Sequence, residues 1–562
     1  MNTAELLVQC LENEGVKYIF GLPGEENLHI LEALKDSSIQ FVTCRHEQGA
    51  AFMADVYGRL TGRAGVCLST LGPGATNLMT GVADANLDGA PLIAITGQVG
   101  TDRMHIESHQ YLDLVAMFSP VTKWSEQIVR PDNTAEIVRK AFKIAQTEKP
   151  GAVHIDVPEN IAAMPATAKP LRKNPPDRTF ASFHSLEKAA AIIALAHNPI
   201  ILVGNGAIRA EASEALTEFA TQLNLPVANT FMCKGVIRYT HPLALWSVGL
   251  QQRDHISCGF DRTDLVIAVG YDLIEYSPKK WNPTGEIPII HIATTPAEIN
   301  SSYIPVAEVV GDISDSLQEI LRRCDRRGKP DPYALCLRPE IHADYEQYAN
   351  DSDFPIRPQK LIYDLRQVLA DEDILISDVG AHKMWIARHY HCAQPNTCLI
   401  SNGFAAMGIA IPGAIAAKLV YPERRVVAAT GDGGFMMNMQ ELETALRLKT
   451  PFVTLIFTDG GYGLIEWKQI QQFGSAAFTK FSNPDFVKLA ESMGLKGYRI
   501  SDCSELLPTL KEALAQEVPT VIDCPVDYRE NLLFSQKSGT LDCQLEGMQG
   551  SEPLASKAKT DS

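Results

Sequence analysis

Two aspartates follow strand-like segments near the carboxyl end of the chain. Asp432 lies in a glycine-rich turn, residues 431–434, directly after the apolar run VVAAT, and Asp459 follows a second apolar run 27 residues later. A helix predicted over 438–448 separates them, so both carboxylates should lie at one edge of a parallel sheet. Glycines let the backbone approach an anion closely, and carboxylate oxygens suit a Mg²⁺ ion that bridges phosphates. A G-D-G-G turn alone is usually only a tight turn, so the second carboxylate is what predicts a metal–phosphate site.

The same two loops resemble the thiamine diphosphate signature, in which G-D-G precedes a loop with two adjacent asparagines. Here Thr458-Asp459 stands in place of the asparagine pair, and a carboxylate at this position still binds Mg²⁺. The resemblance implies that Asp432, Asp459 and the backbone carbonyl of Gly461 bind the metal, with diphosphate oxygens completing its shell. The residues that it places around the cofactor in these loops are Gly431, Asp432, Gly433, Gly434, Asp459, Gly461 and Tyr462.

Glu47 lies in the segment RHEQGAAFMADVYGR, where a predicted strand ends and a helix begins. A glutamate in such a place usually serves only to complement the helix dipole. Thiamine chemistry, however, requires a carboxylic acid that shares a proton with the pyrimidine N1′, so that the 4′-amino group can remove the C2 proton. Because the segment is similar to the family's R-H-E-x-x-A-x-x-x-A motif, the resemblance assigns this role to Glu47.

Two glycine- and proline-containing loops flank Glu47 in the sequence. Residues 20–24 (FGLPG) resemble the family's F-G-x-P-G turn, and residues 72–77 (GPGATN) resemble its G-P-G-x-x-N loop. Each could be an ordinary tight turn, but their order and spacing around Glu47 favour the resemblance. The cofactor-binding residues implied in these loops are Pro23, Gly24, Gly72 and Asn77.

Two further segments match the family in the last third of the chain. Gly380 and His382, in DVGAH, lie where family members contact the diphosphate. Gly403 and Met407 belong to S-N-G-x-x-x-M-G, and the resemblance places Met407 between the two cofactor rings, where it would hold them bent. A methionine in an apolar segment is otherwise ordinary core. The run 403–420 is too short and too rich in glycine and proline for a membrane span, and it predicts a buried helix beneath the cofactor.

Among thiamine diphosphate enzymes, the chain most resembles acetolactate synthases, particularly their catabolic branch. Segments 109–123, 270–282 and 441–449 carry this resemblance. It implies that Gln110 hydrogen-bonds the substrate or the cofactor adduct, the alternative being a surface loop amide. The implied reaction is decarboxylation of pyruvate and transfer of the two-carbon unit to a second 2-oxo acid, giving 2-acetolactate and CO₂. The resemblance also implies a homodimer or homotetramer with the cofactor between two chains. Bound FAD is not expected, because the central block lacks the family's FAD-contacting segments.

Two other functions stay open. Residues 463–468 help to shape the acceptor pocket in the family and match neither its biosynthetic nor its catabolic pattern. The chain could therefore be another thiamine-diphosphate-dependent 2-oxo acid decarboxylase or oxidase with a different acceptor. A catalytically inactive homologue that binds or regulates a partner is a third hypothesis, and the intact Glu47, Asp432 and Asp459 count against it.

Strand-like and helix-like segments alternate along the chain in three blocks, and such alternation predicts parallel sheets covered on both faces. We therefore predict an α/β protein with three doubly wound parallel-sheet domains: pyrimidine-binding over 1–165, central over 186–335 and diphosphate-binding over 355–535. Residues 541–562 lose periodicity, which predicts a disordered tail. The predicted strands are 16–21, 38–44, 65–70, 91–96 and 152–157; then 199–207, 225–230, 264–270 and 287–292; then 373–380, 396–403, 424–434, 451–463 and 519–527.

Charge and composition exclude several classes of function. The net charge of −17 and pI near 5.3 argue against nucleic acid or an anionic membrane surface as partner, because both require basic patches. The twelve cysteines contain no C-x-x-C pair, which argues against a zinc ribbon or a thioredoxin motif. Free thiols and an N-terminus unlike a signal peptide predict a cytoplasmic protein.

Overall fold

The computed structural model describes residues 1–174, 178–249, 255–325 and 330–531, and the predicted tail over 541–562 lies outside these residues. Each of the three predicted blocks forms one six-stranded sheet in which every paired strand is parallel. The predicted α/β class with three parallel sheets is therefore confirmed. The three sheets lie within the predicted domain limits, which themselves stay a prediction.

The first sheet has the strand order β2-β1-β3-β4-β6-β5. Its central strands are buried along their whole length, because they are runs of valine, isoleucine, leucine and alanine with helices on both faces. The strands are β1 (Tyr18–Gly21), β2 (Gln40–Thr43), β3 (Gly65–Ser69), β4 (Leu92–Gln98), β5 (Trp124–Gln127) and β6 (Ala152–Pro158). The helices are α1 (Thr3–Glu14), α2 (Leu28–Leu34), α3 (Glu47–Thr61), α4 (Pro73–Leu87), α5 (Leu114–Phe118), α6 (Thr134–Gln146) and α7 (Glu159–Ala163).

The second sheet has the order β12-β11-β10-β7-β8-β9 and its own hydrophobic core. The strands are β7 (Pro199–Val203), β8 (Val227–Asn229), β9 (Ala244–Ser247), β10 (Leu265–Val269), β11 (Ile289–Ala293) and β12 (Pro305–Val310). The helices are α8 (Phe183–Leu195), α9 (Asn205–Arg209), α10 (Ser213–Leu223), α11 (His255–Cys258) and α12 (Ile313–Arg323), followed by α13 (Arg338–Glu346) before the third domain.

The third sheet has the order β14-β13-β15-β16-β18-β17. The strands are β13 (Ile374–Ser377), β14 (Cys398–Ile400), β15 (Val426–Gly431), β16 (Val453–Thr458), β17 (Lys496–Arg499) and β18 (Thr520–Pro525). The helices are α14 (Pro358–Val368), α15 (Ala381–His389), α16 (Ala410–Val420), α17 (Asp432–Asn438), α18 (Glu441–Leu448), α19 (Gly463–Phe473), α20 (Phe486–Ser492) and α21 (Cys503–Ala513).

The first and third domains share one hydrophobic core, in which α3 packs against α16. The predicted buried helix over 403–420 is this α16, but it begins only at Ala410. Residues 403–409 form an irregular turn that leads into it, so Met407 precedes the helix. The shared core fixes the position of the first domain's α3 against the third domain of the same chain.

All fourteen predicted strands exist, but the sequence missed four more: β5, β9, β12 and β17. Each of the four is an edge strand of its sheet. Edge strands pair on one side only and tolerate polar side chains, so β5, β12 and β17 lack the continuous apolar run by which buried strands are identified. The strand β5, for example, reads WSEQ and is only half-buried. The strand β9 is fully buried, and this explanation does not apply to it.

The helix predicted over 438–448 is in fact two helices, so that prediction was wrong in its bounds. The first, α17, begins at Asp432 itself, and α18 begins at Glu441. Asn438 ends α17 with its side chain turned inward, where its Nδ2 donates a hydrogen bond to the carbonyl oxygen of Gly408 at 2.9 Å. Within the described residues, we find no helix with the length and apolar character needed to cross a membrane.

Candidate active site

A cavity of about 240 Å³ opens at the carboxyl edge of the third sheet, beyond the ends of β13, β15 and β16. It collects residues that lie far apart in the sequence. The predicted site residues that line it are Gly380, His382, Met407, Gly431, Asp432, Gly433, Gly434, Asp459, Gly461 and Tyr462. Leu464 and Ile465, from the segment 463–468 that shapes the acceptor pocket in the family, also line it, and Phe457 and Tyr528 are lining residues that the sequence did not predict.

Asp432 and Asp459 face each other across the ends of the paired strands β15 and β16. The Oδ2 atom of Asp432 accepts hydrogen bonds from the backbone N–H of Asp459 (3.2 Å) and of Gly460 (2.7 Å). Burial, reinforced by the neighbouring charge of Asp432, raises the pKa of Asp459 to about 7. The buried carboxylate of Asp432 and the half-buried one of Asp459 favour a cation beside them, because it relieves both their desolvation and their repulsion.

Asn483 is a site residue that the sequence did not reveal. Its Nδ2 donates a hydrogen bond to Oδ2 of Asp432 at 2.7 Å. Asn483 comes from the irregular segment between α19 and α20, 51 residues after Asp432. No motif marks it in the sequence, and only the folded structure brings it to the aspartate.

His382 contributes an unsatisfied polar atom to the cavity wall. The side chain is buried, and its Nε2 has no hydrogen-bond partner among the described residues. Burial lowers the pKa of His382 to about 3, so the imidazole is neutral. A buried polar atom without a partner is rare in a folded protein, and a bound ligand with polar oxygens would satisfy this one.

The turn that carries Met407 is held from within the third domain by Asp378, which the sequence analysis did not single out. The Oδ1 atom of Asp378 accepts hydrogen bonds from the backbone N–H of Val379 (2.7 Å) and of Gly408 (2.8 Å). Complete burial raises the pKa of Asp378 to about 6. Asp378 directly follows β13, and this position at a strand end could have identified it in the sequence as a site residue.

The same turn is held from the other side by two aspartates of the first domain. Ser401 Oγ donates a hydrogen bond to Asp84 at 2.7 Å, and the backbone N–H of Asn402 donates one to Asp88 at 3.1 Å. The backbone N–H of Gly403 also donates to Asp88. Gly403 therefore faces the contact between the two domains and is not among the residues that line the cavity.

Arg59 joins these aspartates into one buried cluster. Its guanidinium donates hydrogen bonds to Asp55 (2.7 Å), Asp84 (3.0 Å) and Asp88 (2.7 Å), and its side chain is only 8% exposed. Burial, followed by the charges of its two aspartate neighbours, raises the pKa of Asp84 well above its usual range. One guanidinium thus holds three buried carboxyl groups together.

The predicted residues of the first domain gather around the start of α3. Glu47 is the first residue of the helix and is buried, and its Oε2 accepts a hydrogen bond from Asn77 Nδ2 at 3.0 Å. Gly72 has φ = +51°, and a Cβ at this position would lie 2.8 Å from the backbone oxygen of Gln110. Gln110 itself has φ = +57°. The loop with Gln110 is therefore pressed against the G-P-G loop next to Glu47.

Pro23 and Gly24 lie beside this group. A Cβ on Gly24 would lie 2.4 Å from the Cβ of Thr70, which immediately precedes the G-P-G loop. Pro23 is exposed at the same turn. All six predicted residues of the first domain thus lie in neighbouring loops, or in the helix starts that follow them, at the carboxyl edge of its sheet.

Within one chain, these two groups of residues form separate half-sites. Every residue that lines the third-domain cavity belongs to the third domain, and none of the described first-domain residues reaches it. Large apolar side chains are exposed beside both half-sites. They include Leu28, Ile106 and Leu112 in the first domain and Phe404, Met436, Met437, Tyr462 and Ile465 in the third.

Three family models match the chain in the order of its domains. They are "Thiamine pyrophosphate enzyme, N-terminal TPP binding domain" over residues 1–117, the central domain over 186–320 and the C-terminal TPP binding domain over 378–524. Thiamine pyrophosphate is another name for thiamine diphosphate. The half-site around Glu47 lies in the first matched segment, and all cavity-lining residues except Tyr528 lie in the third.

The chain is also similar to curated proteins along nearly its whole length. It is 35% identical to "Acetolactate synthase" of Bacillus subtilis over 94% of each chain. It is 35% identical to "Acetolactate synthase, catabolic" of Raoultella terrigena, over 94% of this chain and 96% of that one. It is 37% identical to "Probable acetolactate synthase large subunit" of Methanocaldococcus jannaschii, over 96% of this chain and 94% of that one.

Proposed function

The chain belongs to the acetolactate synthase family of thiamine pyrophosphate enzymes, and from this premise we propose that it converts two molecules of pyruvate into 2-acetolactate and CO₂. The observation that carries the proposal is the cavity lined by Asp432 and Asp459. It lies in a chain that is similar to acetolactate synthases over 94% of its length. When bound, thiamine diphosphate supplies a nucleophilic carbon and an electron sink for the decarboxylation.

Mg²⁺ is proposed to lie between Asp432 and Asp459, with the backbone carbonyl of Gly461 as a third ligand. The described residues contain no cluster of three or more His, Cys, Asp or Glu side chains suited to a metal. The ion would therefore depend on diphosphate oxygens for the rest of its shell, as Mg²⁺ commonly does. The unpartnered Nε2 of His382 and the side-chain-free surface of Gly431, Gly433 and Gly434 support a diphosphate beside it.

Glu47 is proposed to hold a proton at the N1′ atom of the cofactor's pyrimidine. The carboxyl group is buried, and Asn77 orients it through the 3.0 Å hydrogen bond. Gln110, exposed beside Gly72, is proposed to contact the substrate. Met407, in the cavity wall, is proposed to pack against the cofactor rings. These four residues carry out positioning and proton transfer, while the cation neutralises the diphosphate.

A second copy of the chain is proposed to complete the site. The Glu47 half-site and the cavity are both needed for one reaction, and the cavity of one chain is lined by its third domain alone. The exposed apolar side chains beside both half-sites support a contact between copies there. At least a homodimer is therefore proposed, and a homotetramer would contain the same pairs of chains.

We propose that FAD is not a cofactor of this chain. In a sheet of this kind, a dinucleotide phosphate binds at the first strand–helix turn, which here is the turn between β7 and α9. A side chain already occupies this place, because the carboxylate of Glu275 accepts hydrogen bonds from the backbone N–H of Asn205 at 3.0 and 3.1 Å. A phosphate would have to displace that carboxylate.

A cytoplasmic location is proposed from the state of the cysteines. Buried cysteines such as Cys44 and Cys67 have free thiols, as expected in a reducing compartment.

The test is a product assay with the purified chain, pyruvate, thiamine diphosphate and MgCl₂. We expect release of one CO₂ for each two pyruvates consumed and formation of 2-acetolactate. Release of CO₂ with acetaldehyde, acetate or acetyl phosphate in place of acetolactate would overturn the proposal in favour of a decarboxylase or oxidase. A parallel assay adds a second 2-oxo acid to the pyruvate. The identity of the condensation product then shows which 2-oxo acid is the acceptor.

A further inference from the structure

The helix α18 of the third domain lies against the connection between β2 and α3, immediately before Glu47. The carboxylate of Glu441, the first residue of α18, accepts hydrogen bonds from the backbone N–H of Arg45 (3.0 Å) and of His46 (2.9 Å). Thr444, one turn further along α18, donates its hydroxyl to the same carboxylate at 2.7 Å. The two residues that precede Glu47 are thus bound by a side chain almost 400 residues away in the sequence.

The contact is close on every side. Glu441 is completely buried, and a Cβ on Gly49 would lie 2.6 Å from its Oε1. Only a glycine lets the first turn of α3 approach the carboxylate this closely. Arg447, two turns along α18, donates a hydrogen bond to the backbone oxygen of Thr43 at 2.5 Å. The connection between β2 and α3 is therefore fixed to α18 at its beginning and at its end.

The charge of Glu441 suits its partners. Its carboxylate faces the amino-terminal end of α3, where the helix dipole favours a negative charge. Hydrogen bonds from backbone N–H groups to an ionised acceptor are among the stronger ones in proteins. Burial nevertheless raises the pKa of Glu441. Burying a carboxyl group costs free energy, and hydrogen bonds such as those from Arg45 and His46 offset that cost.

We propose that Glu441 is a positioning residue for Glu47: it fixes the backbone of Arg45 and His46, and thereby the direction in which the Glu47 carboxyl group points. This inference rests on the proposed role of Glu47 as the acid at the pyrimidine N1′. A catalytic group displaced by about 1 Å loses roughly a hundredfold in rate. Loss of the Glu441 acceptor therefore slows the step that Glu47 supports, while the metal–diphosphate half-site is untouched.

The test compares Glu441→Leu with Glu441→Gln. Leucine removes both acceptors, whereas glutamine keeps one carbonyl oxygen for the two N–H groups and turns its amide toward the Thr444 hydroxyl. The matched control is Glu443→Leu, because Glu443 lies on the same helix and is partly exposed, and its carboxylate pairs with the side chains of Arg45 and Arg447 but not with the backbone before Glu47. The first readout is the rate of deuterium exchange at C2 of bound thiamine diphosphate without substrate. The second is amide hydrogen exchange of residues 44–50 in the cofactor-free protein.

We expect Glu441→Leu to slow C2 exchange and kcat by about a hundredfold, with little change in the KM for pyruvate. Its residues 44–50 should exchange amide hydrogens faster than in the wild type. Glu441→Gln should restore both rates to within about threefold of the wild type, because its acceptor oxygen remains. Glu443→Leu should resemble the wild type in both readouts.

Glu47→Gln serves as the reference that separates this inference from the proposed function. If Glu47→Gln does not slow C2 exchange, the role of Glu47 is wrong and the inference fails with it. If Glu47→Gln slows C2 exchange but Glu441→Leu does not, the inference alone is overturned.

Should Glu441→Leu fail to fold, Gly49→Ala replaces it, since the added methyl group displaces the same carboxylate from the opposite side. Gly49→Ala should slow C2 exchange in the wild-type background and have little further effect in Glu441→Ala. Equal effects in the two backgrounds would contradict the inference, because independent sites are additive.

Discussion

Asp88 in the first domain accepts a hydrogen bond from the backbone N–H of Asn402 in the third domain, at 3.1 Å. Asn402 precedes the turn that carries Met407, so a first-domain carboxylate holds a third-domain loop of the cavity. The converse relationship also exists, because Glu441 of the third domain holds the backbone before Glu47. Each domain thus supplies a buried acid that fixes the functional loop of the other. The contact between domains within one chain orients both half-sites before a second chain is present.

The buried cluster around Arg59 should be essential for stability. Arg59→Met leaves three carboxyl groups without their guanidinium, and breaking a buried ion pair in this way costs about 3–5 kcal/mol. We expect a large drop in the thermal unfolding midpoint, and Arg59→Lys should not restore it, because one ammonium group cannot reproduce the fork of the guanidinium. The control is Arg63→Met, an exposed arginine just beyond α3. Equal unfolding midpoints for Arg59→Met and Arg63→Met would contradict this prediction.

The sequence was sufficient for the parts of the site that are local in the chain. Asp432 and Asp459 were predictable because each directly follows a buried strand in a glycine-rich loop. The position of Glu47 was predictable from its motif, which marks the start of the helix after β2. In such sheets the carboxyl ends of parallel strands converge on one edge, so a motif at a strand end already implies a place in the fold.

The contacts between distant segments could not be predicted in this way. Asn483 reaches Asp432 from an irregular loop, and Glu441 reaches the segment before Glu47 across two domains. Neither residue belongs to a periodic pattern or a turn signature that would single it out. The hydrogen bond from the backbone N–H of Gly403 to Asp88 across the domain contact was likewise beyond the sequence, and the contact of Gly403 with the cofactor stays a prediction. A motif fixes the neighbourhood of a residue, but packing between domains decides which way the residue faces.

Asn483 should affect binding of the metal although it is not a proposed ligand. It donates to the Oδ2 atom of Asp432 and so orients the carboxylate. Loss of such an outer partner typically weakens metal affinity 10- to 100-fold, and we expect Asn483→Ala to weaken Mg²⁺ binding by about tenfold in the presence of thiamine diphosphate. Titration calorimetry measures the affinity. Asn133→Ala is the control, because Asn133 is exposed and its side chain makes no capping bond. An unchanged affinity in Asn483→Ala would show that Asp432 needs no such support.

Stability should fall as the pH rises from about 5 to 8, in part because of Glu275. Burial raises the pKa of Glu275 from 4.5 to about 7, against the opposing effects of its Thr230 hydrogen bond and of Arg209, while Asp272 raises it further. Between pH 4.5 and about 7, Glu275 holds a proton in the folded chain that it has released in the unfolded chain. Raising the pH in this range therefore favours unfolding. Glu275→Gln cannot titrate but can still accept a hydrogen bond from the backbone N–H of Asn205.

The measurement for Glu275 is the thermal unfolding midpoint of the wild type and of Glu275→Gln at several pH values from 5 to 8. The midpoint of the variant relative to the wild type should rise with pH up to about 7 and then level off, because above its folded-state pKa Glu275 is deprotonated in both states. Parallel curves for the two proteins would mean that Glu275 has its ordinary pKa in the folded chain.

The contact between Gly72 and Gln110 should control binding of the substrate. A methyl group on Gly72 would lie 2.8 Å from the backbone oxygen of Gln110 and would push its loop outward. This shift would displace the side-chain amide of Gln110, which is proposed to contact the substrate, by roughly 1 Å. We therefore expect Gly72→Ala to raise the KM for pyruvate about tenfold. Gly62→Ala is a close control: Gly62 also has a positive φ, +65°, but nothing lies within 4 Å of an added Cβ. Both variants should lose stability through backbone strain, and only Gly72→Ala should change KM. Similar KM values in the two variants would rule out the proposed contact with the substrate.

The separation of the two half-sites predicts complementation between inactive chains. Glu47→Gln damages only the first-domain half-site, and Asp432→Asn damages only the cavity of the third domain. In a heterodimer of the two variants, one site combines both damaged halves and the other combines both intact halves. Because a two-fold symmetric dimer has two such sites, the purified heterodimer should have about half of the wild-type activity. Differently tagged chains, co-expressed and isolated through both tags, provide the heterodimer, and each variant homodimer should be inactive. If each site were instead formed within a single chain, every site in the heterodimer would contain one damaged half, and no activity would return.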